Sequence, residues 1–273
     1  MARILTFLGL ILLPLHLHAQ GGLDTYAKGA RSMGMGNANL SLTDTWSVFN
    51  NIGALGRITK SSVAVGYDHR FQLNELTTLS SGAILANDKL NLGLSMSTFG
   101  DEHFNQRHIG IGISNQMGIA SLGIKVNYVQ TNIEGFGRSA VPVVEFGGLA
   151  ELSPNLFFGA HIYNLTNAKV SKISNDHIPT VVKSGLSYLP TDKLTINLEA
   201  EKDILLDPVL KLGLEYNLMD KLWMRTGINT NPSNLFFGIG FRPKDFVIDY
   251  AMTQNQYLGA THHFSFGYII SKQ

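Results

Sequence analysis

The chain has 273 residues, 44% of them apolar and only 15% charged, with a net charge of +1. That even balance of acid and base gives no footprint for nucleic acid as a partner. There is no cysteine, hence neither a disulfide framework nor a lipoprotein attachment thiol, and so apolar a chain with 28 glycines and 15 phenylalanines is unusual for a water-soluble domain.

Residues 1–19 set the compartment. Arg3 precedes an apolar stretch from Ile4 to Leu15, and the segment ends in Leu17, His18 and Ala19 before Gln20. This is the charged, apolar, small-residue order of a cleaved secretory signal peptide, with the cut expected after Ala19. Pro14 interrupts the stretch, which falls short of the roughly 20 apolar residues a spanning helix needs. Residues 20–61 differ again: glycines and small residues around Gly29 to Ala38 permit tight, positive-φ backbone, and Thr43 or Asp44 can cap a short helix carrying Trp46 and Phe49. The reading here is a small folded plug and not a strand.

From residue 62 to 273 one pattern repeats, a run of about ten alternating residues followed by a turn signal. Leu90, Leu92, Leu94 and Met96 oppose Asn91, Gly93, Ser95 and Ser97; Leu194, Ile196, Leu198 and Ala200 oppose Thr195, Asn197, Glu199 and Glu201. Alternation puts an apolar face on one side of each strand and a wet face on the other. The runs predict fourteen strands, near 62–70, 74–86, 89–99, 106–116, 118–130, 142–152, 155–165, 180–189, 193–202, 208–217, 221–230, 234–242, 245–253 and 260–270. No later apolar run is long enough for a membrane helix, and a closed barrel is the other structure that satisfies every backbone hydrogen bond in lipid. A soluble sandwich would also alternate. The number of runs, their small wet-face residues, and aromatics near strand ends (Tyr67, Tyr128, Tyr163, Tyr188, Trp223 and Tyr268) favour an all-β transmembrane antiparallel barrel with interfacial girdles. Every second connection is tight, whereas Thr131–Val141 and Thr166–Pro179 read as longer loops. A chain entering from the periplasm places the tight turns on the periplasmic side.

Before the barrel stand Ala30 and Arg31, Met35 and Gly36, Ala38, Asp44, Asn51 and Leu55. With these residues the segment resembles the plug motif of a known family, the outer-membrane barrels of the fatty-acid-transporter (FadL-like) superfamily, and within it the PorV/PorQ-type proteins of Bacteroidota. Asn37 stands where the family has glycine, and Ile52 with Gly53 replaces its Pro-Ala pair. The match covers about thirty residues, and the rest of the chain is similar in architecture. The resemblance implies a fourteen-stranded barrel with an N-terminal hatch in the lumen and no cofactor. It also implies one of two activities: diffusion of hydrophobic small molecules, or binding of the translocon or cargo of the type IX secretion system.

The wet faces carry Lys125, Lys183, Lys211, Arg225 and Arg242 against Glu199, Glu201 and Glu215. Facing the lumen, these predict a mutually neutralising network, because buried charges persist when paired; the alternative is a selectivity ring. His262 and His263 are adjacent and point to opposite faces, so they do not jointly hold a metal. His69 and His161 read as isolated wet-face residues. Glu199 and Glu201 share a face, but their basic neighbours favour ion pairing over acid–base chemistry. No nucleophile elbow, phosphate loop or dinucleotide fingerprint is present, and the expectation is a non-catalytic protein. Phe264, Phe266, Tyr268 and Ile270 alternate in a closing strand that resembles the signal read by the barrel-assembly machinery. The plug motif, the charged lumen and a signal peptide ending Ala-Gln favour an interaction barrel of the PorV/PorQ type. A hydrophobic-solute channel would need a lateral opening or kinked strand beside an apolar pocket. A structural subunit of an envelope complex would show apolar surface on its loops or rim.

Overall fold

The computed structural model describes residues 27–169 and 178–271; the signal-peptide segment lies outside them. Fourteen antiparallel strands close into a barrel in chain order, β1 meeting β14. They are β1 Ser61–Arg70, β2 Thr77–Leu85, β3 Asn91–Gly100, β4 Phe104–Met117, β5 Ala120–Ile133, β6 Gly137–Ser153, β7 Leu156–Tyr163, β8 Val181–Thr191, β9 Leu194–Asp203, β10 Val209–Met219, β11 Leu222–Asn229, β12 Asn234–Phe241, β13 Phe246–Asn255 and β14 Gly259–Ile270. The closing ladder runs from Ser61 opposite Ile270 to Arg70 opposite Thr261, so neither terminal strand is left with a free edge.

The alternation read from the sequence sets which way each residue points. On β3, Asn91, Gly93, Ser95 and Ser97 face inward, while Leu94 and Met96 remain exposed on the outside. Outward Leu198, Leu210, Phe237, Ile239, Phe264 and their counterparts on other strands make a continuous apolar exterior. So much exposed aliphatic and aromatic surface is stable against hydrocarbon and costly against water. Tyr67, Tyr128, Tyr188 and Tyr268 are exposed on this exterior.

Two details differ from the sequence reading. The stretch 131–141 is no long loop: β5 and β6 stay paired as far as Ile133 opposite Gly137, and a tight hairpin turns through Gly135 and Gly137 at φ 77 and 92. Positive φ is the conformation glycine adopts without steric cost, which lets the hairpin close. The wall from β4 to β6, with strands of 14, 14 and 17 residues, therefore stands taller than the wall at β11 and β12, with 8 each. The second strand starts at Thr77, because Asn74–Leu76 forms a 3-10 turn.

Residues 27–58 pack inside the barrel against its wall. Helix α1 (Ala30–Gly34) packs on β11 to β14; α2 (Ser47–Asn50) and a 3-10 turn over Ile52–Arg57 pack on β2 to β7. Neither Thr43 nor Asp44 caps α2, whose N-cap position is Trp46 without a side-chain cap; the Asp44 Oδ1 accepts from the Trp46 amide at 2.9 Å in the turn ahead of the helix. Val48, Ile52 and Leu55 bury with Ile84 of the wall as the largest apolar contribution of the plug, with Phe49 and Ile58 packed against them.

Candidate functional site

The residues of the plug motif lie at anchors between plug and wall, except Asp44, which braces Arg31 from within the plug. Arg31 reaches Glu215 on β10 through two nitrogens, at 2.8 and 2.5 Å, and Asp44 at 3.0 Å. Such a two-point contact between guanidinium and carboxylate fixes direction as well as distance. The Ala30 amide donates to Ser265 on β14. Met35 is fully buried over Gly213, and Gly36, at φ 65, fits against the backbones of β10 and β11 where a side chain would collide. The Ala38 carbonyl accepts from Asn197 at 2.7 Å. Asn51 donates to the Leu40 and Gly148 carbonyls and accepts from the Gly53 amide. Gly53 lies directly on the backbone of Gly147 and Gly148, so a Cβ at this position has no room. Leu55 completes the apolar cluster under Ile84.

The lumen charges pair in two groups. Around α1, Glu215 joins Arg31 to Arg225, whose Nε lies 2.6 Å away, and Arg225 also binds Asp249 at 2.7 Å. Beside it Lys211 bridges Glu199 at 2.8 Å and Glu201 at 2.6 Å, and Glu199 accepts the consecutive amides of Asn39 and Leu40. Glu199 and Glu201 thus flank one ammonium. Across the lumen, Lys125 lies 3.4 Å from Glu145, His161 lies 3.2 Å from the same carboxylate, and Lys183 lies 3.3 Å from Glu201.

Four residues fall elsewhere than the sequence pattern suggested. Trp223 shares the inward phase of Arg225 and carries the Arg242 guanidinium 4.6 Å above its ring, so it is no girdle residue. Arg242 itself follows β12 and makes no ion pair among the described residues. Tyr163 points inward into a cluster of Val129, Val143 and Ile178. His69 belongs to the outward phase and stacks on Tyr67. His262 and His263 do diverge: His262 meets Tyr250 outside, and His263 bonds buried Asp68 at 2.7 Å and Thr253 at 3.0 Å inside.

Glu145, Asp249 and Asp68 were missed as network members. Glu145 sits in Val141–Ala150, where both faces are largely apolar or glycine and the phase is ambiguous. Asp68 and Asp249 did carry a signal, since each falls among apolar residues at an inward position of its run.

On the outside, β1 to β4 and β14 surround an apolar hollow of about 680 Å³. Its floor is Ser81, Gly82 and Ala83 of β2, small residues where the neighbouring strands present Val65, Leu94, Met96 and Phe266. Behind Gly82 lie Val48 and Phe49 of the plug, so at this point little more than backbone separates lipid from the plug's apolar cluster. The ladders here are unbroken. β1 with β2, β2 with β3 and β3 with β4 all pair without a register shift, and the kinked strand that a lateral opening would call for is not formed.

No family model matches the chain, and no curated protein does. Solved structures do. The toluene transporter TodX of P. putida superposes with a TM-score of 0.68 at 14% identity, over 92% of this chain and 100% of that one. The fold is that of the hydrocarbon channels. The CymD monoaromatic hydrocarbon channel gives 0.70 at 13% identity over 92% and 99%, and a Pseudomonas aeruginosa FadL homologue gives 0.63 at 14% over 89% and 96%. This chain therefore spans nearly the whole hydrocarbon-channel fold.

Proposed function

We propose that the protein is a non-catalytic barrel of the bacterial outer membrane that takes up a small hydrophobic molecule from the lipid side. The observation that carries this reading is the apolar hollow over the Ser81–Gly82–Ala83 floor, backed by the plug's apolar cluster. An apolar solute dissolved in the lipid meets there a surface of matching chemistry, and pockets of this size accommodate drug-sized ligands. The fold shared with TodX and CymD, a toluene transporter and a monoaromatic hydrocarbon channel, supports the same reading. Because the ladders are closed, passage inward requires β2 and its neighbours to part transiently. The test is uptake of radiolabelled toluene by cells producing the protein, compared with Ala83→Trp, which fills the hollow. Uptake above that of non-producing cells, and its loss in the variant, is expected. Equal uptake in producing and non-producing cells would overturn the reading.

A second reading is favoured by one observation, the lumen filled with paired charge and a plug anchored on several strands. On it the barrel belongs with the PorV/PorQ-type proteins of Bacteroidota and binds the type IX translocon or secreted cargo. Delivery by a cleaved signal over residues 1–19 and insertion by the barrel-assembly machinery fit both readings. A mild-detergent pull-down from native outer membrane separates them. Stoichiometric recovery of a large translocon barrel or cargo supports the second, and a lone barrel carrying an apolar ligand the first.

A further inference from the structure

Beyond the plug, on the side of β3 to β8, the lumen holds a second and smaller space of about 50 Å³. Its lining differs in kind from the hollow outside: Lys28, Lys125, Lys183, His108 and His161 meet there, and among the described residues Glu145 is the one carboxylate of the lining. Lys125, Glu145 and His161 are 2%, 2% and 3% exposed, so the space lies well inside the protein.

The pairing here is loose where the rest of the lumen is tight. Lys211, Arg225 and Arg31 hold their carboxylates at 2.5 to 3.0 Å. Lys125 stands 3.4 Å from Glu145 and Lys183 stands 3.3 Å from Glu201, an acid that Lys211 already holds at 2.6 Å. Each ammonium has three protons to donate. Glu145 is at the same time shared by His161 and by the Asn127 amide. The second ring nitrogen of His161, Nδ1, is buried with no hydrogen-bond partner among the described residues. Leaving a buried nitrogen bare is unfavourable, and a ligand atom would recover that loss.

We propose that this chamber binds one small oxyanion of the size of inorganic phosphate. The lysines supply the charge and the donors. His161 Nδ1 accepts a hydrogen bond from a P–OH group, and Ser97, Asn127, Phe49, Tyr163 and Val181 complete the lining. The volume exceeds the 10–15 Å³ or so that a single water requires and leaves no room for an alkyl chain. The inference is independent of the lipid-side reading, because the plug lies between hollow and chamber and the ligand chemistries are opposite.

The probe is inorganic phosphate, added to the full chain in detergent before and after refolding from urea, at ionic strength held constant with chloride. The expected result is a saturable rise in unfolding temperature, together with phosphorus retained after gel filtration into phosphate-free buffer. Apparent affinity should fall about tenfold in Lys125→Met and in Lys183→Met, as loss of one charged hydrogen bond implies, and be largely kept in Lys125→Arg. A rise no larger than chloride gives, or one unchanged in both methionine variants, would overturn the proposal, leaving water in the chamber or phosphate on the outer surface. If one variant fails to insert, the other, on a different strand, and the phosphorus content of the wild type still decide.

Discussion

The two sides of the lumen make opposite use of the same residue types. On the α1 side, Arg31, Arg225, Glu215 and Asp249 form a chain in which every link is short and the central members are fully buried. On the side of β4 to β8, Lys125 and His161 stand around Glu145 at longer distances, beside an internal space that Lys183 also lines. Guanidinium presents a rigid fork that matches a carboxylate at two points, whereas ammonium is a point charge on a flexible stem. Arginine therefore carries the lock between plug and wall beside α1, with Lys211 next to it, whereas Lys125 and Lys183 stand where room is left.

The sharpest way to break this contrast is to remove the shared acid of the tight side. Glu215→Ala leaves Arg31 and Arg225 buried against each other and is expected to cost about 3–5 kcal/mol, read by urea unfolding followed through tryptophan fluorescence. An effect below about 1 kcal/mol would mean that water reaches that cluster. Next in size is a steric insult to the plug that touches no charge: Gly53→Val drives a side chain into the backbone of Gly148, with an expected cost of about 1–3 kcal/mol in the same assay. Lys125→Met on the loose side should cost less, about 1 kcal/mol, because Glu145 keeps His161 and Asn127. If it matches Glu215→Ala, the distinction between the two sides fails.

The smallest expected effect lies outside the membrane, at the loop between β3 and β4. There the hydrogen bond to Glu134 raises the pKa of exposed His103, and Asp101 is held down by the Phe104 and His103 amides. A raised histidine contributes fully below its unfolded value near 6.5, and the contribution fades as pH rises through the folded value. NMR titration should give His103 a midpoint above that of a free histidine, and Glu134→Gln should bring it back.

Much of the fold was legible because a membrane barrel writes itself as alternation. Leu94 and Met96 against Ser95 and Ser97 fix both strand and facing, and the signal recurs often enough to give the strand number. It fails where both phases carry similar residues, as in Val141–Ala150, and that is where Glu145 went unseen. Trp223 and Tyr163 were misplaced for a related reason: an aromatic near a strand end suits a girdle, but its phase decides, and theirs is inward. The plug anchors were visible as a motif, though their partners were not. Nothing local in Arg31 or Asn51 names Glu215 or Gly148, which lie far along the chain. The hollow was invisible for the same reason, being made by five strands around the small floor of one.

The closing ladder between β1 and β14 has a consequence for how the molecule holds together. The plug precedes β1 in the chain, yet Ala30 is bonded to Ser265 of β14, and Asn51 is bonded to Gly148 on β6. With anchors on both strands, the N-terminal segment ties the seam of the barrel to the middle of the sheet, like a hoop braced from within.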